Sequence, residues 1–334
     1  MFGMATNALP GNDFAACTGC SLCLLVCPVW RATHDIRLTP HGRAKALQHG
    51  ATAVDLIESI ASCTFCGACE PACPEGIDLI GMIVGLRQQL PASSARNLSV
   101  AQTPLHSSSR SQSPAHGAPS VVLADQSLRD HPDILACVVS LLGVQNNDDN
   151  GADISCALET GTLVSPSRIE AFVEPLQRKG RIVVADGLLL RHLRAWLPRT
   201  RIESIGAALS RLPALRRQLR SSDLYVIEPR GYHADYERQV RHYDALRVET
   251  GCETNLDLQR IAIPAIARNL SQRLDASVPR DLESARWILH RRRMSRIVVE
   301  SVDDIRVFEQ ITDCPVVHVA HLVDPPATTE RGAW

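Results

Sequence analysis

The stretch that decides the reading is Cys17-Thr-Gly-Cys20-Ser-Leu-Cys23-Leu-Leu-Val-Cys27-Pro28, with its echo Cys63-Thr-Phe-Cys66-Gly-Ala-Cys69-Glu-Pro-Ala-Cys73-Pro74. Both follow C-x2-C-x2-C-x3-C-P. An iron–sulfur cubane needs four thiolates from four directions. Three cysteines spaced by two residues wrap a tight loop around one cluster, and the fourth, ahead of a proline, points away to the other. This assigns Cys17, Cys20, Cys23 and Cys73 to one 4Fe–4S cluster, and Cys63, Cys66, Cys69 and Cys27 to a second. Crossed ligation of this kind ties the two halves of the segment together.

Zinc is the competing metal, but zinc sites take their ligands as two pairs, usually without the x3-C-P ending. Here the full pattern occurs twice. All eight ligands are used and no His replaces one, so two saturated clusters leave no open iron for a substrate. The expected role is one-electron relay, with potentials tuned by burial and hydrogen bonding. Gly19 and Gly67 are small residues of the kind expected where backbone amides turn close to sulfide, and service in tight turns accounts for them equally well.

Working outward, the chain has 334 residues and twelve cysteines, eight of them between Cys17 and Cys73. A secreted disulfide scaffold fits poorly with so long a chain and two tight groups of four. Met1 to Asp13 lacks a basic segment followed by an apolar core, so no Sec signal is expected and a cytoplasmic location is. Length suggests about two domains. Hydrophobic residues at 45% and charged residues at 21% are ordinary for a globular protein. A net charge of −1 points to neither nucleic acid nor an anionic membrane, and 4% aromatic residues argue against stacking platforms for single strands. No apolar run approaches the ~20 residues that span a bilayer. The longest, Ile134 to Val144, stops short.

Gly42 to Ile60 has helix formers with apolar spacing at Leu47, Val54, Leu56, Ile57 and Ile60, which predicts one or two helices between the cluster loops. Ile77 to Leu90 reads as a closing helix. Pro91 to Pro119, dense in Ser, Pro, Ala and Gln, reads as a flexible linker. From Ser120, short apolar runs alternate with helical stretches. Val121–Ala124 precedes Pro132–Leu142; Ile182–Ala185 precedes Leu188–Leu197; Leu224–Ile227 precedes Tyr236–Thr250; Ile297–Glu300 precedes Val302–Ile311; Val316–Val319 comes last. Arg199–Leu219 and Asp257–Leu289 read as mostly helical connections. The expected fold class is α+β: residues 1–90 a mostly helical dicluster ferredoxin-like domain, 91–119 a linker, and 120–334 an α/β domain of two related units with parallel strands.

Residues 10–90 resemble the dicluster ferredoxin domain found in the iron–sulfur subunits of heterodisulfide reductase, glycolate oxidase and anaerobic glycerol-3-phosphate dehydrogenase. Leu38-Thr-Pro-His-Gly-Arg43 is similar to that group's (S/T)-P-R-G-R segment, with His41 where Arg is usual. The C-terminal part resembles the cysteine-rich CCG domain that follows in those proteins. Tyr225-Val-Ile-Glu-Pro-Arg-Gly-Tyr-His233 is similar to its strand and H-D-P-C-H turn, and His242–Arg247 with Gly251-Cys-Glu253 to the next segments. The resemblance implies metal ligands that this chain lacks. Leu258–Pro264 stands at Cys-Cys-Gly, Glu300–Asp304 at C-x2-C, Ile154–Ala157 keeps only Cys156, and Ala185-Asp-Gly187 replaces the earlier C-x2-C. Cys137, Cys156, Cys252 and Cys314 are isolated and read as small apolar residues.

A frame that outlives its ligands suggests a binding role. Docking of another protein of the same complex is the favoured reading, and a small-molecule or flavin pocket the alternative. The candidate residues, near the C-terminal ends of strands, are Asp186, Glu228, Arg230, His233, Asp235 and Glu300. His192 and His318 read as surface or satisfied core residues, and Arg291–Arg293 and Arg216-Arg217 as solvated helix faces. No nucleotide fingerprint is present. The function expected is an iron–sulfur electron-transfer subunit of an oxidoreductase with a flavoprotein partner and no catalytic residues of its own. A self-contained reductase or dehydrogenase and a redox-sensing scaffold are the alternatives.

Overall fold

The computed structural model describes residues 13–90, 120–258, 260–274 and 282–323. The N-terminus examined for a leader and the expected linker 91–119 lie outside them. The fold is α+β, with a helical N-terminal region followed by parallel sheets.

In the N-terminal region, Thr39 caps the helix Pro40–Gln48 by accepting from Gly42 N, and Pro40 supplies a first-turn residue with no N–H to lose. The helix Ile57–Ser62 completes the insert between the two cysteine runs. Asp78 caps the closing helix Leu79–Gln88 by accepting from Gly81 N. This helix is buried on two faces. Leu79, Met82 and Leu86 pack against Leu56 and Ile60, whereas Ile80, Ile83 and Val84 enter a second core with Val121, Ile182 and Leu189. At about 1.5–3 kcal/mol per fully buried large aliphatic side chain, this helix binds both regions strongly.

Beyond residue 120 the chain builds two four-stranded sheets. The first holds β1 (Ser120–Leu123), β2 (Gln145–Asn146), β3 (Arg181–Val184) and β4 (Arg201–Ser204), in the order β2-β1-β3-β4, all parallel. The second holds β5 (Asp223–Val226), β6 (Glu253–Thr254), β9 (Arg296–Val299) and β10 (Val316–His318), in the order β10-β9-β5-β6, also parallel. A small antiparallel hairpin, β7 (Leu256–Asp257) with β8 (Ile261–Ala262), lies between β6 and β9 in the chain. Numbered by entry within each unit, both sheets read second, first, third, fourth. The two related units expected from sequence are therefore one topology built twice. Even the tetrapeptide of the third strand, Arg-Ile-Val-Val, repeats in β3 and β9. The central strands β1, β3, β5 and β9 are buried on both faces, as parallel strands under covering helices must be, whereas the edge strand β2 is exposed.

Several expectations need correction. The connection 199–219 is not mostly helical, because it contains β4. That strand hid behind its charges: Glu203 is buried, and Arg181, Arg201 and Arg211 surround its carboxylate. The connection 257–289 likewise contains β8. Arg291–Arg293 is no helix face. The helix Glu283–Leu289 ends before it, Arg291 adopts φ +59°, and the half-buried Arg292 reaches Glu253 at 3.4 Å. Arg216 is held by Glu249 and Ser210 O, so of that pair Arg217 alone is exposed. His192 and His318 are satisfied core residues, with ring nitrogens on Leu188 O (2.9 Å) and Glu300 O (3.1 Å). Among the isolated cysteines, Cys252 is buried but Cys156 is exposed. Among the described residues, no helix is long and apolar enough to cross a membrane.

Candidate metal centre and adjoining cleft

The eight cysteines fall into two nests, each drawn from both runs. Cys17, Cys20, Cys23 and Cys73 line one pocket, backed by Pro40, His41, Ala44, Ile77 and Leu79. Lys45 Nζ and Gln48 Nε2 each donate to Cys17 O at 2.9 Å, which anchors the loop to the helix Pro40–Gln48. Burial pushes the Cys23 thiol up to about 11, and the neighbouring Cys17, Cys20 and Cys73 push the same way.

Cys27, Cys63, Cys66 and Cys69 form the other nest. Burial pushes the Cys66 thiol up to about 12, with Cys27 and Cys63 adding repulsion. Burial raises Cys69 well above the ordinary thiol range, and Glu70, Cys66, Cys63 and Cys27 add to it. Thiols so placed ionise only beside strong positive charge, which an iron core supplies. The donors are all soft sulfur, the type that suits iron–sulfur clusters. Among the described residues no three His, Cys, Asp or Glu side chains are grouped to hold a single metal ion. Four thiolates around a cubane stand farther apart than four around one ion, so this grouping does not bear against a cluster.

The two loops share a backbone. The residue before the second cysteine has positive φ in both, Gly19 (+84°) and Phe65 (+55°); so does the residue after it, Ser21 (+65°) and Gly67 (+76°). Each loop needs two left-handed residues, and glycine fills a different one in each. Sequence reading saw the two glycines but not that they occupy different positions.

Their surroundings differ. Cys20 is exposed, with Leu22 and Leu25 exposed beside it. Phe65, by contrast, is buried under the guanidinium of Arg87, which lies 4.4 Å from its ring centre, with Arg230 at 5.9 Å. Arg87 donates to Ile60 O (2.8 Å), Cys63 O (3.2 Å) and Glu159 O. Burial lowers its pKa to about 10, so it stays charged at neutral pH. Arg230 donates to Thr64 O at 3.1 Å and pairs with Glu159 at 2.7 Å. His233 Nδ1 meets Cys66 O at 2.7 Å while Ala262 N donates to Nε2 at 3.2 Å, which places the ring proton on Nδ1. Arg191 adds ion pairs to Glu70 and Asp78.

The C-terminal strand ends of both sheets converge on a cleft with room for about 130 Å³. This is where an open parallel sheet offers a ligand site. Asp125, Asp186 and Glu228 each lie two residues beyond a strand and cap the next helix, accepting from Leu128 N, from Leu188 N and Leu189 N, and from Arg230 N and Gly231 N. Glu300 accepts from Tyr225 OH, Tyr243 OH and Glu228 N. Of the six candidates, Asp186, Glu228, Arg230 and Glu300 line the cleft. Asp235 instead pairs with Arg194, and His233 faces the second cysteine loop. Sequence reading missed Asp125, Arg268, Asp303 and Asp304. Asp125 shares the strand-x-acid pattern of Asp186 and Glu228, a signal that could have found it. Thr64 and Cys66 also line the cleft, so the second cysteine nest borders it directly.

Fold and donor set define a class, an iron–sulfur protein with an electron-transfer role. Residues 13–77, which hold both cysteine runs, match the family model described as the 4Fe-4S dicluster domain, so the chain carries such a domain at its N-terminus. No curated protein and no solved structure gives a significant match to the chain.

Proposed function

We propose that the chain is the iron–sulfur electron-transfer subunit of a multi-subunit oxidoreductase, relaying single electrons through two 4Fe–4S clusters to or from a flavoprotein partner in the cytoplasm. The observation that carries this reading is the pairing of two thiol nests, each drawn from both cysteine runs. Cys17, Cys20, Cys23 and Cys73 would hold one cluster, and Cys63, Cys66, Cys69 and Cys27 the other. When bound, such clusters supply reversible one-electron storage. The protein's own part is to set their environments. The exposed Cys20, flanked by Leu22 and Leu25, makes the first nest the port for a partner. Arg87, Arg230 and His233 fix the backbone of the second and shield it from water.

The division into a dicluster domain at 1–90, a linker at 91–119 and a degenerate CCG-like domain at 120–334 belongs to the same proposal, as does kinship with the iron–sulfur subunits of heterodisulfide reductase and its relatives. Anaerobic purification with native partners, followed by iron and flavin counting and EPR, tests it. About eight iron atoms per chain and a co-purifying flavoprotein are expected; about four or twelve irons would break the ligand assignment.

A second reading, a self-contained reductase, is favoured by one observation: Thr64 and Cys66 of the second loop line the cleft. Turnover by the isolated chain with an artificial electron donor would support it.

A further inference from the structure

The cleft holds more acidic groups than its structure uses. Asp125, Asp186, Glu228 and Glu300 are each engaged in capping or hydrogen bonding, and Asp303 accepts from Ser127 Oγ (3.1 Å) and pairs with Arg268 at 3.4 Å. Asp304 is different. It is only 5% exposed, it lines the cleft, and its carboxylate makes no hydrogen bond or ion pair among the described residues. A buried, unpaired carboxylate is costly, and one that faces an open space is a group awaiting a partner. The two guanidinium groups of the cleft do not supply one. Arg230 is spent on Glu159 and Thr64 O; Arg268 pairs with Asp303 through Nη1, and its buried Nη2, though without a hydrogen-bond partner, makes no ion pair with Asp304.

We infer that the cleft binds a small organic cation, an alkylammonium of a few heavy atoms, with its charged head on Asp304 and its carbon body against the apolar part of the lining. Leu128, Ile205, Pro264, Ala265 and Ile266 supply that apolar part. The room of about 130 Å³ compares with the ~150 Å³ cavity that takes benzene, so the ligand is small. A bare metal ion fits less well, because among the described residues no three carboxylates are grouped to hold one. The acids also behave as an uncompensated set. Burial raises Asp304 well above the carboxylate range, with Asp303, Glu228 and Glu300 repelling it and Arg268 opposing that rise only in part. Burial likewise carries Asp125 and Glu300 to about 7. A cation supplies the missing charge.

The site stands on the cleft alone, whereas its redox consequence rests on the proposed cluster at Cys66. With a cluster held at Cys66, a cation in the cleft would favour its reduced state and raise its midpoint potential.

The test uses the full chain, purified anaerobically, and calorimetry with propylammonium chloride beside n-propanol, sodium propionate and manganese chloride. Propylammonium is expected to bind while the alcohol and the carboxylate at equal concentration do not. Asp304→Asn is expected to weaken binding at least tenfold. Ile266→Trp fills the apolar wall without changing charge and is expected to abolish binding, so a folding failure of the first variant leaves a second route. Unchanged affinity in either folded variant, equal binding of propanol or propionate, or preferential binding of manganese would overturn the inference. Redox titration with and without propylammonium separates the two claims. Calorimetric binding with no iron present would sink the cluster reading alone; a full iron count with no binding would sink the cation site alone.

Discussion

The two cysteine loops have the same spacing and the same two left-handed positions, yet one lies at the surface and the other beneath the parallel sheets and their helices. Around the first, the anchoring groups are Lys45 and Gln48 from a neighbouring helix, and Cys20 and Leu25 stay exposed. Around the second, Arg87, Arg230 and His233 hold the carbonyls of Cys63, Thr64 and Cys66, and Phe65 joins the core of the first α/β unit. The spacing thus sets what each loop can ligate, while its neighbours set what it can reach. One loop faces solvent at Cys20, and the other borders the cleft through Thr64 and Cys66.

The sharpest way to break that comparison is to remove one proposed ligand from each loop. Cys20→Ser and Cys66→Ser should each cut the iron content from about eight to about four per chain. In thermal melts, Cys66→Ser should also loosen the α/β region beyond residue 120, and Cys20→Ser should leave it unchanged. Equal effects of both on that region would mean that the loops are not differently embedded. The next largest effect is expected at Arg87. Arg87→Met leaves the carbonyls of Ile60, Cys63 and Glu159 without their donor. At about 1–3 kcal/mol for each buried group left unsatisfied, a loss of about 4 kcal/mol is expected in denaturant unfolding. Lys45→Met, the counterpart at the surface loop, should cost about 1 kcal/mol, because water replaces its bond to Cys17 O. If Lys45→Met costs as much as Arg87→Met, the first loop is more deeply buried than its exposure indicates.

How much of this was legible in the sequence follows the same divide. The cysteine spacing announced both nests, because short loops around a cluster are local geometry. The apolar runs that became β1, β3, β5, β9 and β10 were also legible, since strands buried on both faces read as unbroken Val, Ile and Leu. β4 was hidden, because Glu203 is buried through three arginines distant or adjacent in sequence. The cleft was half legible. Asp186, Glu228 and Glu300 were found from their position after strands, but Asp303 and Asp304 lie inside a helix, where an acidic pair reads as a solvated face. The roles of Arg87 and Arg230 were invisible, since each acts on backbone carbonyls that only the tertiary fold brings near.

The smallest effects test the shared backbone itself. Gly67 has φ +76°, and a Cβ there would lie 3.0 Å from His233 Cβ. Gly67→Ala therefore meets two penalties, the left-handed conformation at about 1–2 kcal/mol and a crowded contact against a residue pinned at both ring nitrogens. A loss of about 2 kcal/mol is expected, with an altered EPR signal from the second nest alone. Ser21, at the same position in the first loop, already bears the left-handed cost. Ser21→Gly relieves it but frees the unfolded chain and removes the hydroxyl bonds to Gly19 O and His41, so the net change should stay within about 0.5 kcal/mol. The substitutions are reciprocal by sequence position and unequal by environment. Were Gly67→Ala as harmless as Ser21→Gly, His233 would have to yield, and the second loop would be no more tightly held than the first.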